Sequence, residues 1–145
     1  MQCKKVISNI QKGMAGEHLV CADIYLSGYS GSIISTQQPY DIIMDAQNRM
    51  FKIQVKTSTF KPSRGNREGI STYFLIARGN KTKILYNETD AIDIFAFVNP
   101  NIGIWYISST ETMPKYKVIL NEKHIYPLNR AISIVLKDKY EEHQP

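Results

Sequence analysis

The sequence predicts an α/β domain with a mixed central β-sheet and flanking helices, and three observations carry that expectation. A stretch with helical apolar spacing near the N-terminus stops at a glycine. A series of short apolar or alternating runs follows. Turn-forming residues separate those runs. At 145 residues the chain is long enough for one real core but not for two, so a single domain over 1–145 is expected. Its 43% hydrophobic content is that of a globular protein.

The first helix is predicted over residues 11–27, ending at Gly28, a natural C-terminal stop. Ala15, Leu19, Ala22 and Leu26 form one apolar stripe at helical spacing. Glu17, Val20, Cys21 and Ile24 form a second, which predicts a well-buried helix with a carboxylate on an otherwise apolar face. A buried carboxylate is costly without a partner, so Glu17 should meet a basic group, a backbone donor or a metal. Support from the helix dipole is the simpler alternative.

Strands are expected at 30–35, 40–45, 50–57, 70–78, 82–86, 92–98 and 104–108. Polar residues 46–49 suit a hairpin turn between the second and third of these. A loop of two or four residues gives a pairing register in which partner numbers sum to 95. Asp41 then faces Gln54 with side chains about 5 Å apart, and Lys56 is the next residue along the same face. Residues 58–69 hold Pro62-Ser63-Arg64-Gly65-Asn66-Arg67, a basic loop with turn chemistry and no periodicity. Beyond residue 121 the pattern is ambiguous, with a short helix or strand around 131–136 and a frayed end after Lys139.

Asp41, Gln54 and Lys56 bring a carboxylate, an amide oxygen and an ammonium to one place, a pattern suited to a divalent metal and a phosphate. Asp41 is the best single ligand. Glu17 would add a second negative charge if its helix packs across this sheet face. Lys56 would orient or help deprotonate an attacking water and offset charge growing on the phosphate. The hydroxyls of Thr57 and Ser58 are candidate phosphate contacts. The same spacing also fits a hairpin whose solvated face carries these side chains.

The net charge of +5 is unevenly spread. From Arg49 to Lys83 nine basic residues stand against the single acid Glu68, a net +8 that leaves the remainder of the chain acidic. Such a block collects phosphates and makes affinity salt-dependent. Lys61, Arg64, Arg67, Lys81 and Lys83 are the candidate DNA contacts within it. Other chemistries lack their residues. His18, His124 and His143 are scattered without metal spacing, and there is no phosphate-binding glycine loop. Trp105 and Tyr106 read as core, Asp90 and Asp93 as strand-end contacts, and Cys21 as a small hydrophobe. No apolar run reaches the roughly 18 residues of a membrane span. The N-terminus lacks a signal core, and Cys3 and Cys21 suit a reducing compartment, so a cytoplasmic location is expected.

Gly16-Glu17 in an early helix, Pro39-Tyr40-Asp41-Ile42-Ile43, and Ile53-Gln54-Val55-Lys56-Thr57 resemble the PD-(D/E)XK nuclease superfamily. The likeness is greatest to its small group I intron homing endonucleases, in which glutamine replaces the second acid. It covers residues 13–109 as the core, leaving 110–145 as a C-terminal extension. Tyr40 separates Pro39 from Asp41, and Gln54 stands at the substituted acid position. The resemblance implies a metal-dependent DNA endonuclease with Glu17, Asp41, Gln54 and Lys56 as catalytic residues. It also implies Mg²⁺, with Mn²⁺ as a substitute, held by Asp41, Glu17 and a backbone carbonyl at Val55. Double-stranded DNA is the implied partner, and cutting both strands calls for a homodimer or homotetramer. A junction resolvase, a restriction or repair nuclease, and an inactive DNA-binding domain are the alternatives on the same fold.

Overall fold

The computed structural model describes residues 5–59, 71–75, 91–111, 117–121 and 123–142. Helix α1 spans Asn9–Leu26. Ser8 begins it with a reciprocal capping box, in which its hydroxyl accepts from the Gln11 amide at 3.1 Å while Gln11 accepts from the Ser8 amide at 2.9 Å. Gly28, at φ +89°, lets the chain leave the helix in a left-handed conformation.

Strands β1 (Ser30–Ile33), β2 (Ile42–Ala46), β3 (Arg49–Thr57), β5 (Ile94–Asn99) and β6 (Gly103–Ser108) form one sheet in the order β1-β2-β3-β5-β6. Strand β4 (Ser71–Leu75) pairs with β7 (Lys117–Asn121) in a separate two-stranded sheet. Strands β3 and β5 run parallel, and the other pairs in the main sheet are antiparallel. The α/β class with a mixed central sheet is therefore present. Helix α2 (Leu128–Glu141) closes the fold.

The β2–β3 turn is the two-residue loop Gln47-Asn48, with φ of 50° and 59°. Two successive left-handed residues match the twist of a tight hairpin. Ile42 pairs with Ile53 and Ala46 with Arg49, so the register sums to 95 as expected.

One side of the main sheet carries Ile42, Met44, Phe51, Ile53, Val55, Ile94, Ala96 and Tyr106, which pack with Val20 and Ile24 of α1 and Ala131, Ile132 and Val135 of α2. Each of the large side chains among them contributes about 1.5–3 kcal/mol by burial. The other side gathers Phe95, Phe97, Trp105 and Ile107 with Leu120 of β7. Both helices thus share a side, and the later elements divide between the two faces. Tyr106 also donates to Asp23 of α1 at 2.6 Å, a polar tie inside the apolar layer.

Several sequence expectations need correction. The outer stripe of α1 is not buried: Ala15, Leu19, Ala22 and Leu26 face solvent, Leu26 being 87% exposed. Only Gly16, Val20 and Ile24 are buried in that helix. Both stripes had helical spacing, and periodicity does not say which one meets the sheet. Strand β1 stops at Ile33, α2 is 14 residues long rather than a short element at 131–136, and β7 had no predicted counterpart. The predicted strand at 82–86 and the basic loop beyond Thr59 lie outside the described residues. Asp93 acts as a strand-end contact, receiving Arg49 at 3.3 Å, the Lys52 amide at 2.9 Å and Lys139 at 3.6 Å. Among the described residues no helix is long and apolar enough to cross a membrane.

Candidate active site

Strand β2 begins at Ile42, whereas β3 runs on past its partner to Thr57. Continuing the ladder would pair Val55 with residue 40, but the chain turns away there. The edge groups of Val55 therefore need other partners. Asp41 supplies one: its Oδ2 accepts the Val55 amide at 2.8 Å. Gln54 supplies the other, its Nε2 donating to the Val55 carbonyl at 3.3 Å. The main chain of Asp41 is pinned as well, its amide donating to the Ile53 carbonyl at 2.9 Å and its carbonyl accepting from Ile34 at 2.8 Å. The carboxylate thus stands on a fixed backbone at the mouth of the β2–β3 fork.

Helix α1 reaches this fork from the side of the sheet that carries Val55. Burial raises the Glu17 carboxyl above its ordinary value, and the negative charge of Asp41 raises it further, while His18 pulls it back. Burial also raises Asp41, against the lowering effects of the Val55 amide and the Lys56 charge. Two carboxyls that resist ionisation share one corner, with an ammonium beside them. Gln54 is 8% exposed, an amide buried at the edge of the same corner.

The single-face arrangement expected from the sequence is changed in one respect. Gln54 and Lys56 pair with Phe95 and Phe97, on the side opposite α1. Glu17 approaches from the α1 side, so the group wraps the end of the fork. Asp41 lies between, coupled electrostatically to both Glu17 and Lys56. Thr57 is turned toward α1, against Gly16. The amide of Ser58 donates to the Val98 carbonyl at 2.9 Å. Lys61, Arg64, Arg67, Lys81 and Lys83 lie outside the described residues.

Two features of this corner escaped the sequence reading. Tyr40, which spreads the Pro39–Asp41 spacing, lies under the Lys52 ammonium at 5.0 Å from ring centre to nitrogen. Gly16 marks a close helix–strand contact that no periodicity reports. Among the described residues there is no group of three or more His, Cys, Asp or Glu that could hold a metal. The donor set at the fork is instead two carboxylates and a strand-edge carbonyl. These are hard oxygen donors, and a small cation would relieve the repulsion between Glu17 and Asp41. The residues present fit a hard divalent cation.

A family model described as PD-(D/E)XK endonuclease matches residues 7–143. Among solved structures the chain is similar to I-Ssp6803I, a bacterial homing endonuclease, with a TM-score of 0.60 and 13% identity. That alignment covers 94% of this chain and 97% of the other. It is also similar to the Holliday junction resolvase Hjc of Archaeoglobus fulgidus, with a TM-score of 0.46, 13% identity, and coverage of 74% and 83% respectively. No curated protein matches it in sequence. With nearly its whole length matched by the family model, the chain belongs to the PD-(D/E)XK endonuclease family.

Proposed function

We propose that this endonuclease hydrolyses phosphodiester bonds of double-stranded DNA with a divalent metal, in the manner of a homing endonuclease. The observation that carries the proposal is the half-buried carboxylate of Asp41, fixed by the Val55 amide and set between Glu17 and Lys56. Two hard carboxyl oxygens beside a strand-edge carbonyl are the donor types that a divalent cation takes. A cation makes them productive.

Asp41, Glu17 and the Val55 carbonyl would hold Mg²⁺, with Mn²⁺ as a substitute. When bound, such an ion would supply Lewis-acid polarisation of the phosphate and a more acidic water. The protein's own groups do the rest. Asp41 and Glu17 would supply the negative charge that such an ion neutralises. Lys56 orients the attacking water and offsets negative charge that grows on the phosphate oxygens. Gln54 contributes through its amide, which holds the Val55 carbonyl in place. The products would be 5′-phosphate and 3′-hydroxyl ends. Thr57, Ser58 and the basic residues Lys61, Arg64, Arg67, Lys81 and Lys83 are the proposed DNA-contacting set. Cutting both strands would use a symmetric homodimer or homotetramer.

Supercoiled plasmid incubated with purified protein and Mg²⁺ or Mn²⁺ tests this directly. Cutting by the wild type, lost in Asp41→Asn and Lys56→Ala and abolished by chelation, supports the proposal. Salt-sensitive DNA binding without cutting in any metal would replace it with a DNA-binding module inactivated at Gln54. Preference for branched over linear duplex would move the substrate to DNA junctions.

A further inference from the structure

Helix α1 meets β3 at one point more closely than side chains allow. A Cβ placed on Gly16 would overlap Thr57 Oγ1 outright, standing 3.0 Å from Thr57 Cβ and 3.1 Å from Cγ2. Real Cβ atoms essentially never come under 3.0 Å of a non-bonded heavy atom. Gly13, Gly28 and Gly103 have open space at the same test, and Gly31 meets side chains only at 3.3–3.6 Å. Gly16 is therefore the one described glycine whose missing side chain sets a helix–strand distance.

Its place in the chain gives that distance a consequence. On the helix, Gly16 directly precedes Glu17. On the strand, Thr57 directly follows Lys56 and lies two residues beyond Val55. This close approach of the two elements is thus one residue from Glu17 on the helix and one from Lys56 on the strand. Ala15 and Leu19, on either side along the helix, are solvent-exposed and do not hold it to the sheet. Val20 and Ile24 anchor the helix further along, but at greater distance from Glu17.

We propose that Gly16 is a positioning residue for the active site: its backbone contact with Thr57 sets how far the Glu17 carboxylate reaches toward Asp41. The inference rests on the reading of Glu17 and Asp41 as the metal-holding pair. Magnitude favours a functional consequence over mere packing. Clearing an overlapped oxygen would move the helix by roughly an ångström, whereas productive site geometry is held within about 0.5 Å. Ligand distances at a metal tolerate only about 0.2 Å. A shift that the fold absorbs at modest cost would take Glu17 out of coordination.

The protein without DNA provides the test. Calorimetry measures Mg²⁺ affinity, and urea denaturation in chelator confirms that each variant is folded. In Gly16→Ala, Mg²⁺ affinity should drop at least about tenfold (1.4 kcal/mol). Gly16→Ala combined with Thr57→Gly removes the overlap. Its affinity should recover to within about threefold of Thr57→Gly alone, as coupled neighbours require. Should Gly16→Ala fail to fold, Thr57→Val replaces the hydroxyl with a slightly larger methyl and should lower Mg²⁺ affinity in the same direction, by less. Glu17→Gln tests the underlying reading: unchanged Mg²⁺ affinity there would remove Glu17 from the metal site. Weakened Mg²⁺ binding in Glu17→Gln, with affinity unmoved in Gly16→Ala and Thr57→Val, would leave Gly16 as packing and overturn the inference.

Discussion

The Oδ2 atom of Asp41 accepts the main-chain amide of Val55 at 2.8 Å, so the proposed ligand carboxylate also completes the backbone bonding of the strand that bears Lys56. Structure and chemistry meet in one side chain, and substitutions can separate them. Asp41→Asn keeps an oxygen for the Val55 amide but loses the charge. Asp41→Ala loses both and leaves a backbone donor unpaired at a cost of about 1–3 kcal/mol. Both variants should lose cleavage. Urea denaturation in chelator should find the alanine variant less stable than the asparagine variant by that amount.

The two carboxyls make the metal-free protein sensitive to pH. Glu17 and Asp41 are both raised above their ordinary values of 4.5 and 3.8. The folded state then binds protons more tightly than the unfolded chain, and stability falls as pH rises through that interval. Below the ordinary values both states are protonated and this contribution is flat. Above the raised values the penalty is complete. Melting curves in chelator should show Tm declining through this window, and Glu17→Gln or Asp41→Asn should flatten the decline. Added Mg²⁺ should raise Tm most at the high-pH end, since metal binding displaces those protons.

Gln54 offers a reversal of the same logic. Its Nε2 donates to the Val55 carbonyl at 3.3 Å in a site where it is almost fully enclosed. Gln54→Glu removes that donor and adds a third acid near two that already resist ionisation. The metal-free Tm at neutral pH should fall, while the gain in Tm on adding Mg²⁺ should exceed that of the wild type. A smaller gain than wild type would show that the amide, not an acid, is what the site requires.

Tyr106 and Asp23 tie α1 to β6 on the helix side of the sheet. Burial is the main cause of a phenol held well above its usual range, followed by the hydrogen bond and charge of Asp23. Tyr106→Phe leaves the carboxylate without this donor and should destabilise by about 1.5–3 kcal/mol in urea. The raised phenol favours the fold below its ordinary value of 10.0 and loses that contribution only in strong alkali. Wild type and Tyr106→Phe should therefore converge in stability only at extreme pH.

Asn48 occupies a left-handed turn position at φ 59°. Asn48→Gly removes the strain of a side chain there and should stabilise by a few tenths to about 1 kcal/mol, read as a rise in urea midpoint with unchanged slope.

The register of the β2–β3 hairpin was legible because a two-residue loop and a period of two leave few alternatives, and Ile42 does pair with Ile53. The buried strand after Asp93 was legible for a similar reason, its run of apolar residues needing two covered faces. The inward side of α1 was not, because Leu19 and Val20 belong to equally regular stripes and only the sheet decides between them. Strand β7 pairs outside the main sheet, with a partner more than forty residues earlier, and local pattern carries no sign of that. At the site, the types and spacing of Asp41, Gln54 and Lys56 stood out. The bonds of Asp41 and Gln54 to the Val55 main chain did not, since these depend on where β2 happens to stop. The approach of Gly16 to Thr57 depends on a side chain that is missing, which a search for functional groups passes over.

The early end of β2 has one more consequence. A strand with bare amide and carbonyl groups is a template for another strand and a hazard for aggregation. Here Asp41 and Gln54, both in the proposed active site, also cap that bare stretch of β3. Inactivating the enzyme by removing them together would also uncover an adhesive edge. The residues proposed to do the cutting would be, by the same bonds, guardians of solubility.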